Sequence, residues 1–173
     1  MSFTDHNLLS LSFSRNRLSY AVFRKGHLDY YAGKTLRPYR EVRARNRALI
    51  ATVKQLLVVH DIRKLVLPAL NKQQRRSSDL RRLYQAIQRF GQRNQLTILM
   101  QDPVLIRRNL TGTIRPTQAN AVVRLVELFP ELGRYTSGGS EWERTYYRHV
   151  FTAIGSGLTA VGYVPATAKG IQR

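Results

Sequence analysis

After the apolar pair Leu8-Leu9, the first segment alternates apolar and small polar residues as Ser10-Leu11-Ser12-Phe13-Ser14. Arg17 to Arg24 and His27 to Leu36 are further short runs with β-branched or aromatic residues. Alternation at period two marks strands with one face turned to a core, and the intervening Ser14-Arg15-Asn16 and Arg24-Lys25-Gly26 carry turn chemistry. Together they predict a three-strand antiparallel meander. After Pro38 the period changes. Val42, Leu49, Ile50, Val53, Leu56 and Leu57 share one face at helical spacing, which predicts a first helix with four arginines in its opening half, Arg40 to Arg47.

Leu65-Val66-Leu67, within Lys64 to Leu70, predicts a fourth strand ended by Pro68. Asn71 to Ser77 is polar and basic and reads as a loop, with Ser78 capping a second helix whose stripe is Leu80, Leu83, Tyr84, Ile87 and Phe90; Gly91 weakens its end. Leu96 to Met100 is a fifth strand, and a basic connection, Ile106 to Pro116, leads to a helix with Ala119, Val122, Val123 and Val126 inward that Pro130 stops. A glycine-rich loop at Thr136 to Ser140 precedes a last long helix with Trp142, Tyr146, Val150, Ala153, Ile154 and Leu158 on its inner face. The order is β-β-β-α-β-α-β-α-α. Strands four and five are reached through helical crossovers and so add parallel to the sheet. The pattern predicts one α/β layered domain, 1–164, with a five-stranded mixed sheet and helices on both faces, then a flexible tail, 165–173.

Composition changes this picture through charge. Of 173 residues, 29 are Lys or Arg and 10 are Asp or Glu, a formal net charge of +19. A polyanionic partner is the simplest reason for such a balance. Arg outnumbers Lys along most of the chain, and its planar fork of donors suits phosphate oxygens better than a point charge does. The basic residues are spread along the whole chain, not gathered on one amphipathic segment, which sets nucleic acid above anionic lipid. No apolar run approaches the roughly 20 residues of a membrane span, so a soluble, cytoplasmic protein is expected, with nucleoid association as a further option. The absence of cysteine removes thiolate nucleophiles and cysteine-held zinc, and His6, His27, His60 and His149 show no metal-ligand spacing; neither metal nor cofactor is expected.

The element order is the ribonuclease-H-like order, and local detail resembles the RuvC branch of Holliday-junction resolvases. Leu9-Ser10-Leu11-Ser12-Phe13-Ser14-Arg15 followed by Ser19-Tyr20-Ala21-Val22 is similar to that family's first strand, turn and Gly-Tyr-Gly-Val strand. Arg107-Arg108-Asn109-Leu110-Thr111-Gly112 and Thr117 to Leu128 resemble its basic segment, glycine turn and amphipathic helix, and Tyr146 to Ile154 resembles the latter half of its final helix. The resemblance spans roughly residues 8 to 160. It implies branched DNA as the ligand, a homodimer, and protein partners in a DNA-processing complex.

Two-metal phosphodiester chemistry needs clustered carboxylates. On this alignment the family's acids fall at Ser12, Pro68 and Arg148, a hydroxyl, an imino acid and a cation, so the expectation is a non-catalytic binding protein. Asp102, Glu141 and Glu143 are the alternative acids for a rearranged, active metal-dependent nuclease; a helix start and a turn account for them better.

The expected nucleic-acid contacts come from clusters around element ends. Lys72, Arg75, Arg76, Arg81 and Arg82 surround the start of the second helix, and Arg107, Arg108 and Arg115 follow the fifth strand, with Thr111, Gly112, Thr117 and Gln118 suited to phosphate oxygens. Both sets follow parallel neighbours, hence the carboxyl edge of the sheet. A further cluster, Arg37, Arg40, Arg43, Arg45 and Arg47, surrounds the start of the first helix, and the pairs Tyr30-Tyr31 and Tyr146-Tyr147 offer rings that can stack on unpaired bases. DNA is the favoured ligand, with RNA binding, ribosome association and an assembly role with an acidic protein as the alternatives.

Overall fold

The computed structural model describes residues 7–136 and 141–163, with the side chains of 141–146 outside the description. The expected tail, most of the glycine-rich loop, and Trp142, Tyr146, Glu141 and Glu143 as side chains therefore lie outside the described residues. The meander forms as predicted: β1 (Asn7–Ser14), β2 (Arg17–Arg24) and β3 (His27–Thr35) are antiparallel neighbours. The turn between β2 and β3 is tight because Lys25 and Gly26 both take positive φ, 48° and 81°, the geometry that matches the twist of a hairpin.

Helix α1 (Val42–His60) crosses to β4 (Ile62–Pro68), which pairs parallel with β1; α2 (Lys72–Arg76) and α3 (Ser78–Arg93) lead to β5 (Thr97–Gln101), parallel to β4. The sheet order is β3-β2-β1-β4-β5. Helices α4 (Pro103–Thr111) and α5 (Gln118–Leu128), a 3-10 turn (Pro130–Tyr135) and α6 (Glu141–Ala160) complete the chain. Alternation along β1 divides the core in two. Leu9, Leu11 and Phe13 pack with Leu65 and Leu67 against α1 and α3, while Leu8 and Val66 face α4, α5 and α6. Each fully buried leucine contributes on the order of 1.5–3 kcal/mol relative to exposure, so both layers are anchored to the same strands.

Three local expectations need correcting. Asn71 to Ser77 is not a loop: Asn71 and Gln74 form a reciprocal capping box that closes the short α2, and Ser77, not Ser78, caps α3 through the Leu80 amide. The start of the connection from Ile106 to Pro116 is also helical, because Asp102 caps α4 at the Val104 amide, Pro103 opens it, and Ile106 and Leu110 bury one face. In α5 the buried positions are Ala121 and Leu125; Val122 and Val126 are half-buried, whereas Ala119 is exposed and Val123 is 58% exposed. Gly91 stays inside α3, where β5 comes so close that an added Cβ would meet Ile98 Cδ1 at 2.6 Å.

Candidate nucleic-acid interface

On the face of β1 opposite the α1/α3 core, strand alternation lines up Ser10 and Ser12 beneath α6. Ser12 registers with Ser19 on β2, and Arg17 lies on the same face two residues away. All four residues are buried. The Ser12 hydroxyl lies 3.1 Å from His149 Nδ1 of α6. Burial, then the nearby positive charges of Arg17 and Arg148, push the His149 imidazole down to about 4, so it is neutral at pH 7. One turn and two turns further along α6, Ala153 and Ser156 follow on this side, and the Ser156 hydroxyl meets the Gln101 side chain at 2.8 Å.

Gln101 closes β5 in register with Pro68, the last residue of β4. The Pro68 carbonyl accepts a 2.6 Å hydrogen bond from Tyr84 of α3, whose phenol burial pushes strongly up. That contact holds the ends of β4 and α3 together. The end of the sheet is thus a fixed platform of strand termini with a neutral histidine above Ser12.

The structure changes one of the three aligned positions. Arg148 is exposed and lines a cleft of about 490 Å³ with Gln118, Val122 and Phe151; His149, one residue on and so turned about 100° around the helix, is the side chain that meets Ser12. The divalent-metal site that the resolvase resemblance implies does not fit these positions, since Ser12 is bonded to His149, Pro68 brings no side-chain donor, and Arg17 and Arg148 are positive. Among the described residues no group of three or more His, Cys, Asp or Glu could hold a metal ion. Asp29, Asp61, Asp79 and Glu127 each pair with an arginine, and Asp102 caps α4.

The predicted basic residues divide between the two sides of the sheet. Lys72, Arg75, Arg76, Arg81 and Arg82 are all exposed on α2 and the first turns of α3. Arg75 and Arg81 line a cleft of about 270 Å³ at the carboxyl edge with Gln85, Gln88 and Met100. Arg107 and Gln118 line a cleft between α4, α5 and α6, on the opposite face, and Arg108 and Arg115 are exposed nearby in the chain. Thr111 bonds the Arg107 carbonyl, Gly112 terminates α4 at φ 69°, and Thr117 caps α5 through the Asn120 amide, so these three also have helix-end roles. In the first-helix cluster Arg45 is not a ligand contact. It is 4% exposed, donates to the carbonyl of Arg40 at 3.0 Å and pairs with Asp79 at 2.9 Å, and so ties the start of α1 to α3.

Sequence reasoning found only that His149 lacks metal-ligand spacing; the signal that finds it is its i,i+4 and i,i+7 relation to the small residues Ala153 and Ser156, a close-packing stripe. It also passed over Tyr135 and Arg134, which the 3-10 turn brings beside Tyr31 and Tyr147.

No protein-family model and no curated protein matches the chain. Solved structures do. Thermus thermophilus RuvC aligns with TM-score 0.66 and 13% identity over 88% of this chain and 92% of that one, and the same protein in complex with Holliday junction substrate with 0.64 and 10% over 90% and 97%. The fowlpox virus resolvase in complex with substrate Holliday junction DNA gives 0.55 and 11% over 90% and 96%, and the yeast mitochondrial Holliday junction resolvase Ydc2 gives 0.59 and 10% over 98% and 85%. The fold is therefore RuvC-like and ribonuclease-H-like, as the sequence resemblance implied.

These findings correct the expectation that the chain is not an enzyme. The neighbours are resolvases, so the fold is one that carries enzymes, and Ser12, Pro68 and Arg148 at the three aligned positions do not by themselves make the chain a non-enzyme. That expectation relied on three aligned positions, and at one of them α6 presents a different residue to the strand.

Proposed function

We propose that this chain binds branched DNA through its phosphate backbone, in the cytoplasm and in association with the nucleoid. The observation that carries this reading is a RuvC-like fold with a +19 charge whose carboxyl edge is walled by exposed arginines and neutral amides, Arg75, Arg81, Gln85 and Gln88. Guanidinium and amide donors at strand ends suit phosphate oxygens, and such contacts position a backbone without reading its sequence. Arg107, Arg108 and Arg115, on the other side of the sheet, extend the basic surface so that two arms of a junction can be held at once. A homodimer and protein partners in DNA processing follow from the same resemblance, and sedimentation of the protein with and without junction DNA tests the first.

The test is a titration of labelled four-way junction, flap, duplex and structured RNA. Junction DNA is expected to bind tightest, with affinity falling steeply in salt because each phosphate contact releases counterions. Arg76→Ala, Arg81→Ala and Arg108→Ala should each lower the log-log salt slope by about one. The reading fails if RNA displaces the junction, or if these variants change nothing while substitutions between Arg40 and Arg47 abolish binding. Cleavage is followed in the same reactions with Mg²⁺ and Mn²⁺. Products that disappear in Asp102→Asn or Glu143→Gln would assign the chemistry to those carboxylates.

A further inference from the structure

Three tyrosines from three separate elements meet beside the edge of the sheet. Tyr147 of α6 stacks on Tyr135 of the 3-10 turn with ring centroids 4.1 Å apart and planes at 26°. Tyr31 of β3 meets Tyr135 edge-on at 6.5 Å and 87°. Together with Ala32, Gly33 and Val150 they line a cavity of about 250 Å³, and all three rings are half-buried, left partly open to solvent. Rings that served the core alone would bury more of their faces, and Tyr31, Tyr135 and Tyr147 are instead only partly buried against the layer of α4, α5 and α6.

Gly33 lines this cavity without a side chain. On β3, Gly33 lies two residues from Tyr31 and pairs with Ser19, so it belongs to the same face of the sheet. Its φ lies outside the left-handed region, so the backbone does not require glycine there. A side chain there would stand on the face of β3 that carries Tyr31. β3 is an edge strand of the sheet.

The rim is cationic. The Arg134 guanidinium sits 4.6 Å over the Tyr135 ring, hydrogen-bonds to the Tyr135 hydroxyl and is fully exposed. Burial and the neighbouring Tyr135 push the Tyr31 phenol up, so two phenols and a guanidinium stand at one corner. Gly33, Ser19 and Ser12 are successive partners across three strands, which sets the cavity about 10 Å from Ser12, two strand spacings along the sheet.

We propose that this cavity is a stacking site for an unpaired nucleobase, with Arg134 and the two phenol hydroxyls taking the phosphate next to it. The proposal deepens the DNA-binding reading above and rests on it. Stacking on tyrosine faces is tolerant of base identity, and a guanidinium beside the rings anchors the charged backbone that every base carries. An unpaired base is the occupant because a base inside a duplex cannot present its face to a ring, whereas branch points and bulges release one.

The experiment uses three labelled DNAs of identical length: a duplex with a single bulged 2-aminopurine, the same duplex with an abasic bulge, and the fully paired duplex. The bulged base is expected to bind about tenfold more tightly than the abasic site, in line with base–aromatic stacking, and its fluorescence should be quenched. Tyr147→Ala and Tyr31→Ala should erase the gap between base and abasic DNA, Tyr147→Phe should keep it, and Gly33→Leu should close the cavity and erase it with every ring present. Arg76→Ala and Arg81→Ala should weaken all three DNAs and leave the gap intact. Equal binding of base and abasic DNA by the wild-type protein overturns the stacking site and spares the DNA reading. Failure to bind any of the three overturns both. If the alanine variants melt early, Gly33→Leu and Tyr147→Phe decide the matter alone: a gap that survives Gly33→Leu refutes the site.

Discussion

The two faces of β1 differ more than any two helices of the molecule. Leu9, Leu11 and Phe13 look into a layer formed with α1 and α3 whose buried cluster is aliphatic and aromatic, with the Arg45–Asp79 pair linking the two helices. Two ångströms of backbone away, on a pleat's other side, Ser10 and Ser12 look toward α6 and share their layer with Ser19, Arg17 and His149. The Ser10 and Ser19 hydroxyls are buried without a hydrogen-bond partner, each an arrangement that costs about 1–3 kcal/mol. One face is built for stability, and the other gives stability up. Polar groups kept buried where apolar ones would pack better are expected at surfaces selected for something besides folding.

That contrast can be broken first at its strongest point. Leu11→Ala should destabilise the protein by about 3–5 kcal/mol in a urea melt, through lost burial and the cavity left between sheet, α1 and α3. A loss under about 1 kcal/mol would mean this layer is not the anchor.

The next largest effect is a pH dependence confined to the polar face. His149 has a folded value of about 4, below its ordinary 6.5, so between these the unfolded chain holds more protons than the folded one and stability rises with pH. The contribution is full above about pH 6.5 and is lost as pH falls through about 4, on the order of 3 kcal/mol in all. Melts of wild type and His149→Gln from pH 7 to pH 4 should diverge in that window. Parallel curves would show that the imidazole is solvated.

A smaller effect of opposite sign is expected from Ser10→Ala. Removing an unpartnered buried hydroxyl should leave stability unchanged or raise it by about 1 kcal/mol, against the large loss at adjacent Leu11. The subtlest test is Ser12→Asp. A carboxylate beside His149 favours the imidazolium, so the histidine's value should move up from about 4 toward its ordinary range in an NMR titration, with little change in melting at pH 7. No movement would separate Ser12 from His149 in solution.

Much of this fold was legible along the chain because its signals are local. Period two and the Lys25-Gly26 turn specify the meander, and the stripe from Leu80 to Ile87 specifies α3, whatever packs on them. The short helices were not legible. α2 buries nothing and α4 buries only Ile106 and Leu110, too few positions to show a period against basic residues that resemble a loop. In α5 apolar residues occur around much of the circumference, so the sequence supports two phases about 100° apart, and contact with α4 and α6 selects the one that buries Ala121 and Leu125.

The candidate site shows the same division. Counting charge along the chain locates basic segments, but it treats Arg45 and Arg43 alike. The first is buried and bonded to Asp79 and the Arg40 carbonyl, and the second faces solvent, a distinction that depends on α3 arriving alongside α1. Likewise, alignment to a family pattern led to Arg148, and only the docking of α6 on the sheet turned His149 toward Ser12 instead. The gathering of Tyr31, Tyr135 and Tyr147 requires an edge strand near the start of the chain to meet a 3-10 turn and a helix near its end. By itself, then, the sequence determined the element types, the sheet's mixed topology and the positive charge, because propensity, periodicity and composition act over a few residues. Tertiary structure alone decided which side chains face each other across the layers, because a helix's rotation about its axis is set by the surface it buries and not by its own period.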